Sequence, residues 1–262
     1  MIGTIRIAWV LGILVIASLV LLPIHLLLLL LKHPLRNRLP RTWHRIALAA
    51  IGVRVHVHGR IEARRPLMIA SNHVSWLDIL VLSSVVDANF VARADLRDWP
   101  IVGQLARLQR SIFIRRKERQ LARDQADEMA SRLNAGDVVV FFPEGTTTSG
   151  NRLGELKSSL FAAASSAARF APEGVVHVQP VALAYIRVHG MAMGHYNRPL
   201  VAFPGTVELL PHVLEVLRTG AIDVDLRFGR TVAVTPETSR KDVSAAVRDD
   251  LRDMLETSLR GR

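Results

Sequence analysis

An α/β fold with a mixed, largely parallel sheet flanked by helices is the architecture this sequence predicts, and three observations predict it. Short apolar runs rich in Val, Ile and Phe recur from about residue 51 onward. Longer segments with helical spacing of apolar and charged residues lie between them. Ahead of this alternation stand 25 consecutive residues, Ile7 to Leu31, without an Asp, Glu, Lys or Arg. Strand–helix alternation at this spacing suits crossover connections in one sheet, and the apolar stretch predicts an N-terminal membrane helix or helical hairpin ahead of it.

The apolar stretch is long enough for a membrane, because about 20 such residues span a bilayer core. A signal peptide would carry a shorter apolar region and a small-x-small cleavage site, and this chain shows neither. Pro23 either kinks one spanning helix or splits the segment into two short helices that dip into one leaflet. Lys32, Arg36, Arg38, Arg41 and Arg45 follow it, against Arg6 and the amino group before it. That excess of positive charge places the C-terminal flank on the cytoplasmic side, and Trp43 among the arginines suits an interfacial stretch. Residues 1–50 are therefore expected to be an anchor and basic interfacial segment at the cell inner membrane. Residues 51–262 form a single cytoplasmic-facing body.

Within the body, Val53, Val55 and Val57 alternate with Arg54, His56 and His58, as in a half-buried strand. Further strands are expected at Leu67 to Ala70, Asn89 to Ala92, Ser111 to Ile114, Val138 to Phe142 and Val176 to Ala184. The proline at 180 suggests an edge or a bulge. Helices are expected from Lys117 to Asn134, ending at Gly136, and from Glu155 to Phe170. A last one runs from Ser239 to Leu259, where Ser239 and Asp242 resemble a capping box.

Composition narrows the chemistry. Half of the residues are apolar and the formal net charge is +11, with 30 of 34 basic residues being Arg. The charge suits an anionic surface, and membrane lipid fits it better than nucleic acid, because aromatic–basic interleaving and zinc spacing are absent from the sequence. With no cysteine, thiolate nucleophiles, thiolate metal sites and disulfides are excluded. The sequence also lacks G-x-S-x-G, H-E-x-x-H, P-loop and G-x-G-x-x-G patterns.

Two apolar strands end in polar residues able to do chemistry. After Leu67–Ala70 comes Ser71-Asn72-His73-Val74-Ser75-Trp76-Leu77-Asp78, with His73 ahead of a helix start and Asp78 about one turn in. An imidazole held by a carboxylate through one ring nitrogen keeps the other nitrogen as a base. The bland alternative is a histidine before a helix with a first-turn aspartate stabilised by the dipole. After Val138–Phe142 comes Pro143-Glu144-Gly145-Thr146-Thr147-Thr148-Ser149, where a glycine lets amides turn toward a ligand and hydroxyls crowd nearby. Sites in such folds collect beyond the carboxyl ends of strands, so the two loops are expected to meet. Ser111-Ile112-Phe113-Ile114 leads into Arg115 and Arg116, a guanidinium pair suited to gripping a phosphate or carboxylate.

His73–Asp78 (an H-x4-D motif), Phe113-Ile114-x-Arg116, Phe142-Pro143-Glu144-Gly145-Thr146 and Val178-Gln179-Pro180-Val181 occur in that order. Together they resemble the four blocks of the glycerolipid acyltransferase family, which includes 1-acylglycerol-3-phosphate acyltransferases. Trp99-Pro100-Ile101-Val102-Gly103 is also similar to that family. The resemblance covers roughly residues 51 to 190. It implies transfer of a fatty acyl group to a lysolipid hydroxyl, the donor being a thioester on acyl carrier protein or coenzyme A. No cofactor or metal is implied beyond that co-substrate. Residues 51–262 would be the catalytic domain, with His73 as general base and Asp78 as its orienting partner. Arg116 would contact the acceptor's phosphate. Glu144, Gly145, Thr146 and Thr147 would help to position the acceptor, and Pro180 belongs to the block linked to acyl-donor binding.

Two departures bear on the acceptor. Thr147 stands where the family's third block often has an arginine, and Arg115 stands where the second block often has an aspartate. Farther on, His189-Gly190-Met191-Ala192-Met193-Gly194, Arg198-Pro199-Leu200-Val201-Ala202 and Leu210-Pro211-His212 resemble bacterial members that acylate lyso-ornithine lipid, a zwitterion without phosphate. The leading expectation is acylation of 1-acylglycerol-3-phosphate to phosphatidic acid, and the runner-up is lyso-ornithine lipid O-acylation. A non-catalytic scaffold that binds anionic membranes through its arginines is the reading of another class.

Overall fold

A computed structural model describes residues 2–100, 102–114, 121–205 and 207–261 of the chain. The long apolar stretch forms one helix, α1 (Ile2–Leu30), which runs through Pro23 without dividing. A 3-10 turn then leads to α2 (Leu39–Ile51), closed by Gly52 at φ 81°. Next come β1 (Val53–His58), β2 (Leu67–Ser71), α3 (Leu77–Val85), β3 (Ala88–Arg93), α4 (Val102–Leu108) and β4 (Ile112–Ile114). They are followed by α5 (Leu121–Asn134), β5 (Val138–Phe141), α6 (Ala162–Ala168) and β6 (Val176–Val188). The chain continues with β7 (Met191–Ala192), α7 (Gly194–Asn197), α8 (Leu209–Thr219), β8 (Ile222–Phe228), β9 (Val232–Val234) and α9 (Arg240–Leu259).

The sheet order is β1-β8-β6-β2-β5-β3-β4, with β7 and β9 also paired to β6. The sheet is mixed and mostly parallel, as the alternation predicts: β6, β2, β5, β3 and β4 run parallel to one another, and β8 is antiparallel to β6. Strand β2 lies between β6 and β5 and is buried throughout, so its side chains feed both faces. Leu67 and Ile69 pack with Leu77, Val81 and Leu82 of α3 on one side. Met68 and Ala70 pack with Leu133, Phe161 and Val247 on the other. This arrangement makes three layers, with helices over both faces of the sheet.

Among the elements that differ from the sequence expectation, three bear on how the sheet is built. Pro180 sits neither at an edge nor in a bulge but inside β6, opposite Ala70 of β2. Its missing N–H would face the side of β6 where the neighbour changes from β9 to β8, and its carbonyl there accepts the Gly229 N–H at 2.9 Å. No ladder bond is lost. The helix expected from Glu155 begins instead as a 3-10 turn at Ser158, because the chain before it wraps the loop after β5, where Lys157 N–H donates to Pro143. Strand β8 is an element the sequence reading does not contain. Its Asp223 and Asp225 pair with His56 and His58 of β1 at 2.9 and 3.3 Å, which makes a charged sequence acceptable in a strand.

Helix α1 is long and apolar enough to cross a membrane, yet it is tied to the rest of the fold at Arg6 and at Ser18. Arg6 donates to the Ile51 carbonyl at the end of α2 and to Leu217 in the last turns of α8, at 2.6 and 2.9 Å. Cationic groups are favoured at helix C-termini. Farther along α1, Ser18 accepts a hydrogen bond from Trp43 of α2 at 3.0 Å. The opposite face, with Ile5, Trp9, Ile16, Leu19, Leu27 and Leu30, is exposed.

Candidate active site

Parallel neighbours β2 and β5 end side by side, with Ala70 opposite Phe141, so the loops carrying His73 and Glu144 meet at one sheet edge. Strand β2 gives out at Ser71, and the side chain of Asn72 takes over its pairing with β6. Asn72 Nδ2 donates to the Leu183 carbonyl at 2.9 Å, and Oδ1 accepts the Leu183 N–H at 2.7 Å. The backbone is thereby free to turn outward at His73.

Asp78, in the first turn of α3, reaches back into this turn. Its Oδ2 accepts from Val74 N–H at 2.6 Å, Ser75 N–H at 2.9 Å and His73 Nδ1 at 2.8 Å. Its Oδ1 accepts the Tyr185 hydroxyl at 2.7 Å. The carboxylate is fully buried, at 0% exposure; a charge so placed is tolerable only when it is well hydrogen-bonded, and here four donors meet it. Burial, followed by the Asp78 charge, raises the Tyr185 phenol well above its ordinary value, so it stays protonated as a donor. A carboxylate can only accept, so His73 Nδ1 carries its proton toward Asp78 and Nε2 keeps a lone pair. The Phe142 ring stacks on the imidazole at 3.9 Å and 12°, which fixes the ring plane. The His73 side chain is 19% exposed. An oriented, accessible imidazole of this kind can take a proton from a hydroxyl.

Glu144 serves the same loop from the other side. Its carboxylate points inward, with Oε1 accepting the His73 backbone N–H at 2.8 Å and Oε2 the Gly154 N–H at 2.9 Å. It is 4% exposed, and burial pushes its pKa up against the opposing pull of those two N–H groups. A Cβ on Gly154 would lie 2.5 Å from Oε2, so the approach requires glycine. Gly145, at φ 73°, closes the turn after β5 by donating to the Phe142 carbonyl at 3.0 Å. Thr146 is exposed at the loop tip. Thr148 secures the His73 carbonyl through its N–H at 2.9 Å and its hydroxyl at 3.1 Å.

The segment after α7 covers the far side of the loop. The Thr147 hydroxyl donates to the Phe203 carbonyl, and Phe203 N–H donates to the Val74 carbonyl at 2.8 Å. Trp76 donates to His212 Nδ1 of α8 at 3.0 Å. Arg198, 5% exposed, donates to the Asn151 side-chain oxygen, and burial lowers its guanidinium below the ordinary value.

The structure thus brings His73, Asp78, Glu144, Gly145 and Thr147 together, as the sequence predicts, with Thr146 at the loop tip. Pro180 lies in the sheet beneath, opposite Ala70. Arg116, and Arg115 before it, lie outside the described residues. Sequence reading assigns no role to Tyr185 or Gly154, and includes Phe142 and Arg198 only within motifs. A phenol inside the apolar run Val181 to Val188 was a signal for Tyr185, because buried tyrosine hydroxyls seek a partner; Arg198 lies in a motif singled out for its resemblance, though without a role.

A family model described as Acyltransferase matches residues 52–184, about half of the chain and the part that holds both loops. The chain belongs to the acyltransferase family. Over all 262 residues this acyltransferase is 50% identical to a lyso-ornithine lipid O-acyltransferase of Rhizobium meliloti, covering 90% of that protein. It is 49% identical over the same length to a lyso-ornithine lipid O-acyltransferase of Brucella abortus, covering 98% of it. In fold it is similar to the 1-acyl-sn-glycerophosphate acyltransferase PlsC from Thermotoga maritima, with a TM-score of 0.61 at 20% identity over 100% of this chain and 99% of that one.

Proposed function

We propose that this acyltransferase moves a fatty acyl group from a thioester, on acyl carrier protein or coenzyme A, to the free hydroxyl of lyso-ornithine lipid. One observation carries the choice of acceptor: the likeness to lyso-ornithine lipid enzymes, at 49–50% identity, runs through the whole chain and not only the family-wide half. It therefore includes residues 185–262, which hold Arg198 and His212. Lysophosphatidate, the acceptor that the four blocks alone rank first, now stands second. In the proposed reaction His73 Nε2 takes the hydroxyl proton as the oxygen attacks the thioester carbonyl. Asp78 stabilises the imidazolium that forms. As the tetrahedral intermediate collapses, the C–S bond breaks and the departing thiolate takes the proton back. Glu144 and the Gly145–Thr147 turn act by holding the His73 loop against the acceptor, and Arg116 remains a proposed acceptor contact.

Purified enzyme offered labelled acyl thioester with lyso-ornithine lipid and lysophosphatidate side by side is expected to acylate the first at least about tenfold faster by kcat/KM, a difference of about 1.4 kcal/mol in transition-state binding. Equal or reversed preference would return lysophosphatidate to first place.

The same reading puts α1 in contact with lipid through its exposed apolar face. Because Arg6 at the start of α1 binds the body, a crossing helix would have to break that tie, so α1 lies within one leaflet on the cytoplasmic side. The chain has no cysteine, so Thr4→Cys and Lys32→Cys can be labelled singly. Both are expected to react with an impermeant maleimide in inverted inner-membrane vesicles. Labelling of Thr4→Cys only from the opposite side would show a spanning helix.

A further inference from the structure

We infer that Arg198 binds the carboxylate of the acceptor and so helps the enzyme to select an ornithine headgroup. This inference rests on the acceptor reading above. Arg198 is almost wholly buried, yet among the described residues it makes no ion pair. Its hydrogen-bond partner is the neutral amide of Asn151, and its Nε is sealed from solvent without an acceptor. Folding a guanidinium into such a place is unfavourable unless an anion completes it. A carboxylate matches the planar fork bidentately, and an ornithine headgroup acylated on nitrogen keeps one.

The position of Arg198 agrees. A Cβ on Gly150 would lie 2.8 Å from Val74 Cγ1 and 3.4 Å from Arg198 Cδ, so Arg198 and Val74, the residue after His73, both pack against Gly150, beside Asn151. Gly150 stands at φ 68°, a conformation that side chains disfavour, and its lack of a Cβ lets the arginine approach. Thr147 supplies the second half of the case. It occupies the place where the family's third block often has an arginine, and its hydroxyl instead ties down the Phe203 carbonyl, while Phe203 N–H binds Val74. The segment running from Arg198 to Phe203 is thereby fastened over the His73 loop. At the position where the family's third block often carries a cation this chain has Thr147, and Arg198 is a cation on the segment that Thr147 ties down.

The test compares lyso-ornithine lipid carrying a free carboxylate with its methyl ester, using the full-length enzyme and a labelled acyl thioester. For the wild type, esterification is expected to lower kcat/KM on the order of 10²-fold, mainly through KM. Arg198→Gln is expected to lose a similar factor on the free acid and to become indifferent to the ester, and Arg198→Lys to regain part of the discrimination. Should Arg198→Gln fail to fold, as judged by its melting curve, Asn151→Asp decides: it keeps the guanidinium packed but sets a competing carboxylate against it, and should raise KM for the free acid alone. A wild type that uses the ester as well as the acid overturns the assignment of Arg198 and leaves the acceptor reading standing, as does an Arg198→Gln enzyme that keeps its discrimination. A wild type without turnover on lyso-ornithine lipid overturns both.

Discussion

Substituting alanine for His73 is expected to lower acyl transfer by about 10²- to 10⁴-fold, the usual cost of removing a general base, with the fold retained. The bonds that build the loop do not pass through the imidazole. Glu144 holds the His73 N–H and Thr148 holds its carbonyl, and both survive truncation of the side chain. What is lost is the stack on Phe142 and one of four donors to Asp78, leaving Val74, Ser75 and Tyr185 in place. Removing one donor from a buried carboxylate costs about 1–3 kcal/mol, a modest shift in a thermal melt. Initial rates with labelled thioester, alongside the melt, separate the two effects. Wild-type turnover in a folded His73→Ala enzyme would end the proposed mechanism.

Asp78 should show the opposite balance, since its carboxylate is part of the fold as well as of the site. Asp78→Ala leaves two backbone N–H groups, the Tyr185 hydroxyl and the His73 ring without an acceptor in a sealed space, and is expected to destabilise the protein by about 3–5 kcal/mol. Asp78→Asn is the informative variant. The backbone N–H groups of Val74 and Ser75 can only donate, so the amide oxygen must face them and His73, and the amide nitrogen must face Tyr185. A phenol can turn and accept, so the fold survives and the His73 tautomer is kept. The charge that steadies an imidazolium is gone, and a rate loss of about 10²- to 10³-fold follows. If Asp78→Asn melts like the wild type and also turns over like it, the charge of Asp78 plays no part in the reaction.

The legible parts of this molecule were those written in short-range pattern. Alternation marked the half-buried β1, and apolar runs bounded by Gly, Pro and polar residues marked β2, β5 and β6, because a strand buried on both faces has no room for charge, as in Leu67–Ser71. The helix Arg240–Leu259 announced itself through Ser239, whose side chain accepts the Lys241 N–H at its start. Strand β8 was illegible for the same reason in reverse. Asp223 and Asp225 interrupt any apolar run, and their partners His56 and His58 lie 167 positions away.

The candidate site divides along the same line. The five-residue step from His73 to Asp78 crosses a tight turn into the first turn of α3, so local geometry alone returns the carboxylate to the imidazole. The sequence by itself determined the spacing of that pair, the strand ends that carry it, and the apolar stretch ahead of them. Only the tertiary structure decided that Tyr185 completes Asp78, that Glu144 turns inward to hold His73, that α1 is tied to the body at Arg6, and that Arg198 is buried beside the loop without a counter-charge. Those contacts join residues far apart in the chain. Their energetics come from desolvation and from donors and acceptors that meet only when the sheet has assembled, and neither leaves a period in the sequence.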